Sequence, residues 1–339
     1  MLKKSLFVPV FVCFAFLAVA MMPAAAPAAG PVELSYSVFF PPSHAQAKCA
    51  ESWAKEIEKR TNGAVKINIF AGGTLTKGPQ VYEGVLNGIS DIGMSCFAYT
   101  AGRFPVMSAI DLPLGYPNGM CASLTANDYA MSVNPPEIQD VKLLYVHAHG
   151  PGLLSSKKPV EKLADMAKMK VRATGFSAKV VEALGGVPVA MGQGEAYEAL
   201  KTGVVEGTMT PIETLKGWKQ AEVIKDTTLC YSVGYTTGMY VVMNKDKWAS
   251  LSPEVQKVFT EVSAEWPKVH GEAWDKADEE GKEYTLSLGN KLIPLSDKES
   301  DAWRKAVDPV IANYAAESAD GAKRVELLKG LIKKNSSAK

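Results

Sequence analysis

An arginine at the tip of a short apolar strand is the residue in this chain best placed to do chemistry. Residues 169–175 read "MKVRATG": Val171 is a core position, Arg172 follows it, and Gly175 turns the chain into "FSAKVVEALG". A guanidinium is a planar fork of donors that matches a carboxylate with two parallel hydrogen bonds. Held at a strand end it is ordered before a ligand arrives, so binding costs it little entropy. The same side chain could instead close an interlobe salt bridge or lie in solvent. Residue type and position alone leave the three roles open.

Other chemistry is weaker. In "YVHAHG", His147 and His149 are two apart on a strand and share a face, the spacing of a possible metal pair. No Cys, Asp or Glu within four residues completes a ligand set, so both read as hydrogen-bonding groups near a cleft rim. His44 and His270 are isolated and read as structural, with His44 also carried as a ligand-contact candidate. Phe39-Phe40-Pro41-Pro42 fills a loop directly after a strand. Phe97, Tyr99, Tyr197, Trp218 and Tyr235 could line the same cleft, and each reads at least as readily as core.

Catalytic signatures are missing. "GQGEAY" has two glycines of a dinucleotide loop but neither the third nor the position. No GxSxG elbow occurs, and Ser155 with Lys158 has Ser-x-x-Lys spacing without a second motif, so it reads as a solvated strand end. Cys49, Cys96, Cys121 and Cys230 fit no zinc spacing; one disulfide, within the first three, and four buried thiols are both open readings. No enzyme activity, cofactor or metal is expected.

These residues need elements to position them. "VELSYSVFF", "AVKINIF" and "DIGMSCF" read as strands, separated by helices after Ser43, which can cap, and over "GPQVYEGVLNGIS". The order predicts a parallel α/β sheet. The pattern restarts after residue 150 with strands "MKVRA", "VPVAM" and "EGTMT" and helices "KKPVEKLADM", "SAKVVEALG", "GEAYEALKTG" and "PIETLKGWKQA". "GMYVVMN" is one more strand. From Ser252 a helical pattern runs for about 35 residues, with Pro253 and Glu254 suited to its first turn. Pro267 should bend or break it. A helix of that length should run along both lobes. Two polar helices, near 296–318 and 321–333, close the chain.

The expectation is therefore an α/β chain of two lobes, each a mostly parallel sheet flanked by helices, with a cleft at the strand carboxyl ends. The boundaries read 1–29 signal peptide, 30–151 plus 239–270 first lobe, and 152–238 plus 271–339 second lobe. Lys3 and Lys4, the apolar "SLFVPVFVCFAFLAVAMM" and the small-residue "PAAAPAAG" form the export signal. Without it the net charge of +1 becomes about −1, too weak a field for nucleic acid or acidic lipid.

Five segments together resemble one family: "ESWAKEIEKRTNGAVKINIFAGGTL", "VYEGVLNGISDIGMS", "LADMAKMKVRATG", "EALGGVPVAMGQGEAYEALKTGVVEGTMTP" and "SPEVQKV". They are similar to the DctP-type solute-binding proteins of tripartite ATP-independent periplasmic (TRAP) transporters, over essentially all of the mature chain. The resemblance implies a periplasmic, monomeric binding protein that closes on a small organic anion, a carboxylate or a sulfonate, and delivers it to an ion-driven membrane permease. It places the ligand-pairing arginine at Arg172. Thr210 stands where many members carry asparagine, and Gln193 where a pocket side chain is often presented. Tyr99 and Thr100 follow the third strand, where first-lobe contacts are expected. "GPGLL" lacks the second arginine of some sugar-acid binders, which argues against a sialic-acid specialist. The full candidate set is Arg172, Phe40, His44, Tyr99, Thr100, His149, Gln193, Tyr197, Thr210, Glu213, Trp218 and Tyr235. Alternatives are the binding component of an ATP-driven importer, a ligand-presenting sensor subunit, and a periplasmic enzyme on a similar scaffold.

Overall fold

The computed structural model describes residues 30–337 of the 339-residue chain. The export signal read over residues 1–29 lies outside them. The first half runs β1 (Val32–Val38), α1 (Ala45–Arg60), β2 (Val65–Phe70), α2 (Val81–Leu86), β3 (Ile92–Cys96), α3 (Gly119–Val133) and β4 (Lys142–Ala148). The second runs β5 (Gly152–Ser156), β6 (Lys170–Arg172), α4 (Phe176–Ala183), β7 (Val187–Val189), α5 (Gln193–Thr202), β8 (Gly207–Pro211), α6 (Thr214–Gly217) and β9 (Asp226–Leu229). Then follow β10 (Gly238–Met243), α7 (Lys245–Ser250), α8 (Pro253–Ser287), β11 (Lys291–Pro294), α9 (Asp297–Glu317) and α10 (Gly321–Asn335).

Two sheets form, one per lobe, with strand orders β2-β1-β3-β10-β4 and β11-β9-β5-β8-β6-β7. Strands within each sheet run one way except a single one: β10 is antiparallel to β3 and β4, and β5 is antiparallel to β8 and β9. These two are the strands the chain enters on crossing between lobes. β4 ends at the cleft, so β5 must start there and run away from it. β10, entered from β9, does the same, and Gly238 pairs with Ala148 at the cleft end. The sequence reading of mostly parallel sheets missed these two reversals because strand direction leaves no mark in an apolar pattern.

α8 is continuous from Pro253 to Ser287, with Pro267 inside it and unbroken. Ser252 Oγ accepts the Val255 N–H at 3.4 Å, and Pro253 occupies the first turn, where its missing N–H costs nothing. Phe259, Val262, Trp266, His270 and Trp274 make a buried stripe at helical spacing. The N-terminal half packs on α1, where Trp266 Nε1–H donates to Cys49 O at 2.9 Å. The C-terminal half packs on α6. The helix thus touches both lobes.

Other expectations shift. The cap of α1 is His44, whose Nδ1 accepts from Gln46 N at 3.2 Å, and Ser43 lies outside it. Ser155 is buried in β5, its hydroxyl 2.9 Å from that of Thr227. Cys49, Cys96, Cys121 and Cys230 are free and buried. α10, read with the second lobe, packs on α3 of the first, with Lys334 Nζ 2.9 Å from Asp128 Oδ2. α9 joins both: Trp303 and Val307 enter the second-lobe core, while Val310 and Tyr314 enter the first. An amphipathic pattern shows which face of a helix is buried, but not which partner covers it.

Candidate functional site

The carboxyl ends of the two sheets face each other across a cavity. Its first-lobe wall is Phe39 and Phe40 after β1, Cys96 at the end of β3 with Tyr99 beyond it, Thr237 and Met239 at β10, and Trp274 of α8. The second-lobe wall is Arg172 at the end of β6 with Thr174 beyond it, Ser177 of α4, Gln193 of α5, Met209 to Pro211 of β8, then Glu213, Thr214, Trp218 and Tyr235. His149 lies where β4 passes into β5.

Arg172 is only 4% exposed. Nε and Nη2 donate to the carbonyl of Met191 at 3.1 and 2.9 Å. No carboxylate among the described residues pairs with it, and the Tyr99 hydroxyl lies within hydrogen-bonding reach of its side chain. Burying an unpaired cation costs several kcal/mol. Its immediate neighbours are neutral donors and aromatic rings. Burial, then the Arg172 charge, pushes His149 down to about 4, while its Nδ1–H bond to Gly150 O opposes the shift. Gln193 Nε2 is buried without a partner. An unsatisfied Gln193 amide and a guanidinium without a carboxylate partner therefore line one cavity, a combination that calls for an acceptor.

The second-lobe wall also carries an acid, Glu213. His44 Nδ1 accepts from the backbone, so its Nε2–H donates across the lobes to Glu213 Oε2 at 2.9 Å. Asp278 Oδ1 accepts the Glu213 N–H at 3.0 Å, and burial, with the Glu213 charge, holds the Asp278 carboxyl well above the usual range. Stacked aromatics complete the wall: Phe40 on His44 at 4.5 Å and Phe39 on Trp218 at 6.1 Å between ring centres.

Of the sequence candidates, Arg172, Phe40, Tyr99, His149, Gln193, Thr210, Glu213, Trp218 and Tyr235 line this cavity. His44 stands behind it, holding Glu213. Thr100 does not reach it. The chain turns through a 3-10 segment over Phe97–Tyr99, which aims Thr100 at a separate depression beside Phe97 and Gly175. Tyr197 does not reach it either, for α5 presents only its N-terminus to the cleft and the Tyr197 hydroxyl donates to Glu222 Oε2 at 3.0 Å. Trp274 and Ser177 were missed. Trp274 continues the core stripe of α8, and nothing in its spacing marks the point where the stripe runs out under the cavity. His147 faces away from the cavity, stacked on His270 at 3.9 Å and accepting from Trp274 Nε1 at 3.1 Å.

Asp111 lies buried between the lobes near Gly175, its Oδ1 accepting the Gly238 N–H at 2.7 Å. Burial pushes its carboxyl up to about 8, and the Gly238 bond only partly opposes this. The folded protein keeps a proton that the unfolded chain releases near 3.9. The associated stability is complete below that pH and is lost as pH rises towards about 8. Asp111→Asn is expected to gain on the parent across pH 5 to 8, by at most about 1.4 kcal/mol per pH unit. Urea unfolding of both proteins at each pH checks this; parallel curves would rule out a protonated Asp111.

Residues 36–318 match the family described as bacterial extracellular solute-binding protein, family 7. The C4-dicarboxylate-binding periplasmic protein DctP of Rhodobacter capsulatus is 26% identical over 290 residues, 83% of this chain and 86% of that one. A TRAP solute-binding protein from a marine metagenome, specific for aromatic acids and crystallised with 3-hydroxybenzoate, is 29% identical. It covers 91% of this chain and 100% of its own, with a TM-score of 0.86. An open complex of a TRAP periplasmic solute binding protein from Desulfovibrio salexigens is 30% identical, covering 91% and 98%, with a TM-score of 0.79.

Proposed function

The chain belongs to the family 7 bacterial extracellular solute-binding proteins of TRAP type, and we propose that its ligand is a compact monocarboxylate held by Arg172 between the closed lobes. It is a periplasmic protein that captures a small organic carboxylate in the interlobe cleft by hinge closure, for delivery to a TRAP permease. We read it as a carrier that does not alter its ligand.

The observation that carries the ligand class is the buried Arg172 without a counter-ion. With Nε and Nη2 anchored on Met191, the Nη1 edge remains for a carboxylate, and Gln193 Nε2 supplies a further donor. A second carboxylate has nowhere to go. Among the described residues no other cation lines the cavity, and the same second-lobe wall carries Glu213. A dicarboxylate would bury an unpaired charge facing a like charge, which costs several kcal/mol. The aromatic rings suit an apolar body instead. Among the relatives, this composition favours the chemistry of the marine aromatic-acid binder over that of the C4-dicarboxylate binder. A sulfonate meets the same fork and is the second anion to try.

Calorimetry with lactate, pyruvate, benzoate, methanesulfonate and succinate tests this reading. At least one monoanion is expected to bind at least 100-fold more tightly than succinate and to be recovered unchanged by NMR. Succinate binding tightest would overturn the single-charge argument. Conversion of any acid would overturn the carrier reading.

A further inference from the structure

Around Arg172 the cavity offers donors. The guanidinium, the unpaired Gln193 Nε2 and the Tyr99 hydroxyl beside the guanidinium can all donate, which suits a carboxylate. His149 is the exception. It is 3% exposed and lines the same cavity. Burial and the nearby Arg172 charge keep its ring neutral. A neutral imidazole carries one proton, and here Nδ1 donates it to Gly150 O. Nε2 therefore holds a lone pair and can only accept.

Among the described residues no donor meets that lone pair. Tyr235 and Trp274 stand edge-on to the His149 ring, at 5.8 and 6.1 Å between ring centres, but their protons are committed elsewhere. The Tyr235 O–H donates to Met209 O at 2.6 Å, and the Trp274 Nε1–H to His147 Nδ1 at 3.1 Å. Thr210 is no donor either. Thr214 Oγ1 donates to Pro211 O at 2.9 Å, so the Thr210 hydroxyl proton goes to Thr214 Oγ1 at 3.0 Å. A carboxylate brings only acceptors, and buried acceptors without a donor are disfavoured. The chamber has about 40 Å³ of room for water centres, so an acid held on Arg172 lies close to His149.

We propose that His149 Nε2 accepts a hydroxyl of the ligand, so that the protein selects a small hydroxy acid over its oxo and deoxy counterparts. The inference deepens the monocarboxylate reading and rests on it. In lactate the carboxylate meets Arg172 and the hydroxyl donates to Nε2. Pyruvate has nearly the same shape but offers only lone pairs there, so two acceptors face each other. Propionate leaves Nε2 without a donor. A site that needs a hydrogen-bonding group rejects analogues lacking it far more sharply than an apolar pocket rejects a missing methylene.

Calorimetry with lactate, 3-hydroxypropionate, pyruvate and propionate, on the parent, His149→Phe and His149→Gln, tests the proposal. In the parent, the better of the two hydroxy acids is expected to bind at least tenfold more tightly than pyruvate and propionate. His149→Phe keeps a flat ring without the acceptor, and the ratio of hydroxy-acid to propionate affinity should fall at least tenfold. His149→Gln restores an acceptor oxygen and should recover part of that ratio. A parent that binds pyruvate or propionate as tightly as either hydroxy acid overturns the proposal, and needs no variant to fold. So does a folded His149→Phe that keeps the parent's ratio, or that weakens all acids equally, which would make His149 structural. Binding of none of the four acids by the parent overturns the compact-monocarboxylate reading itself.

Discussion

Arg172→Ala is expected to lose compact-monocarboxylate binding by roughly 30- to several-thousand-fold, about 2 to 5 kcal/mol. The ligand would then bring a carboxylate into a chamber without a cation, and most of the loss is the cost of that unpaired charge. The same change should do little to the empty protein. Among the described residues Arg172 has no ionic partner, only the Met191 carbonyl and the nearby Tyr99 hydroxyl, and relieving a buried cation offsets the lost hydrogen bonds. Thermal unfolding without ligand should therefore stay within a few degrees of the parent, while the ligand-induced rise disappears. Arg172→Lys keeps the charge but not the fork, and Lys cannot hold Met191 and a carboxylate in the same plane. It is expected to fall between parent and alanine. Full affinity in Arg172→Ala would remove the basis for the assigned site. A collapse of the empty protein would show that the arginine is structural.

Why could Arg172 be read from sequence when Trp274, and the way Asp278 and His44 hold Glu213, could not? Arg172 interrupts an apolar strand at a turn, so its polarity is out of place locally and asks for a reason. Trp274 is in place locally: it sits four residues after His270 and eight after Trp266, on a stripe that is core for most of its length. Its role comes from where α8 passes relative to β4, which is a long-range fact. The Glu213, Asp278 and His44 group joins three segments far apart in the chain, and only the folded protein brings them together. Thr100 and Tyr197 fail for the opposite reason. Their distance along the chain from a strand end or helix start was right, but a 3-10 turn redirects Thr100, and Tyr197 lies on the face of α5 that meets Glu222. α3 went unread as an element because its apolar and small residues cover nearly its whole circumference, leaving little periodicity to detect. α8 was legible because capping residue, first-turn proline and apolar stripe all agree.

That long helix also determines how the lobes can move, and Gly281 shows it. A Cβ at Gly271 would stand 2.8 Å from Met120 Cα in the first lobe, and one at Gly281 would stand 2.3 Å from Ile212 O and 2.9 Å from Glu213 Cα in the second. The rod therefore touches backbone on both lobes at points about 15 Å apart along its axis. Backbone cannot move aside as a side-chain tip can. Gly281→Ala must push α8 off the segment that carries Glu213, which also breaks the fit of Asp278 to the Glu213 N–H and displaces the partner of His44. Overpacking of this kind costs about 1 to 3 kcal/mol and sometimes more, well above the gain of up to about 1 kcal/mol from replacing a helical glycine. The expected result is a lower melting temperature together with at least tenfold weaker acid binding, because the lobes no longer meet at the His44–Glu213 contact. Gly330→Ala in α10 is the control: no atom lies within 4 Å of the added methyl, so only the helix-propensity gain should appear, with binding unchanged. If Gly281→Ala bound as tightly as the parent, α8 would be a passive strap, and closure would have to be positioned by the crossing strands alone.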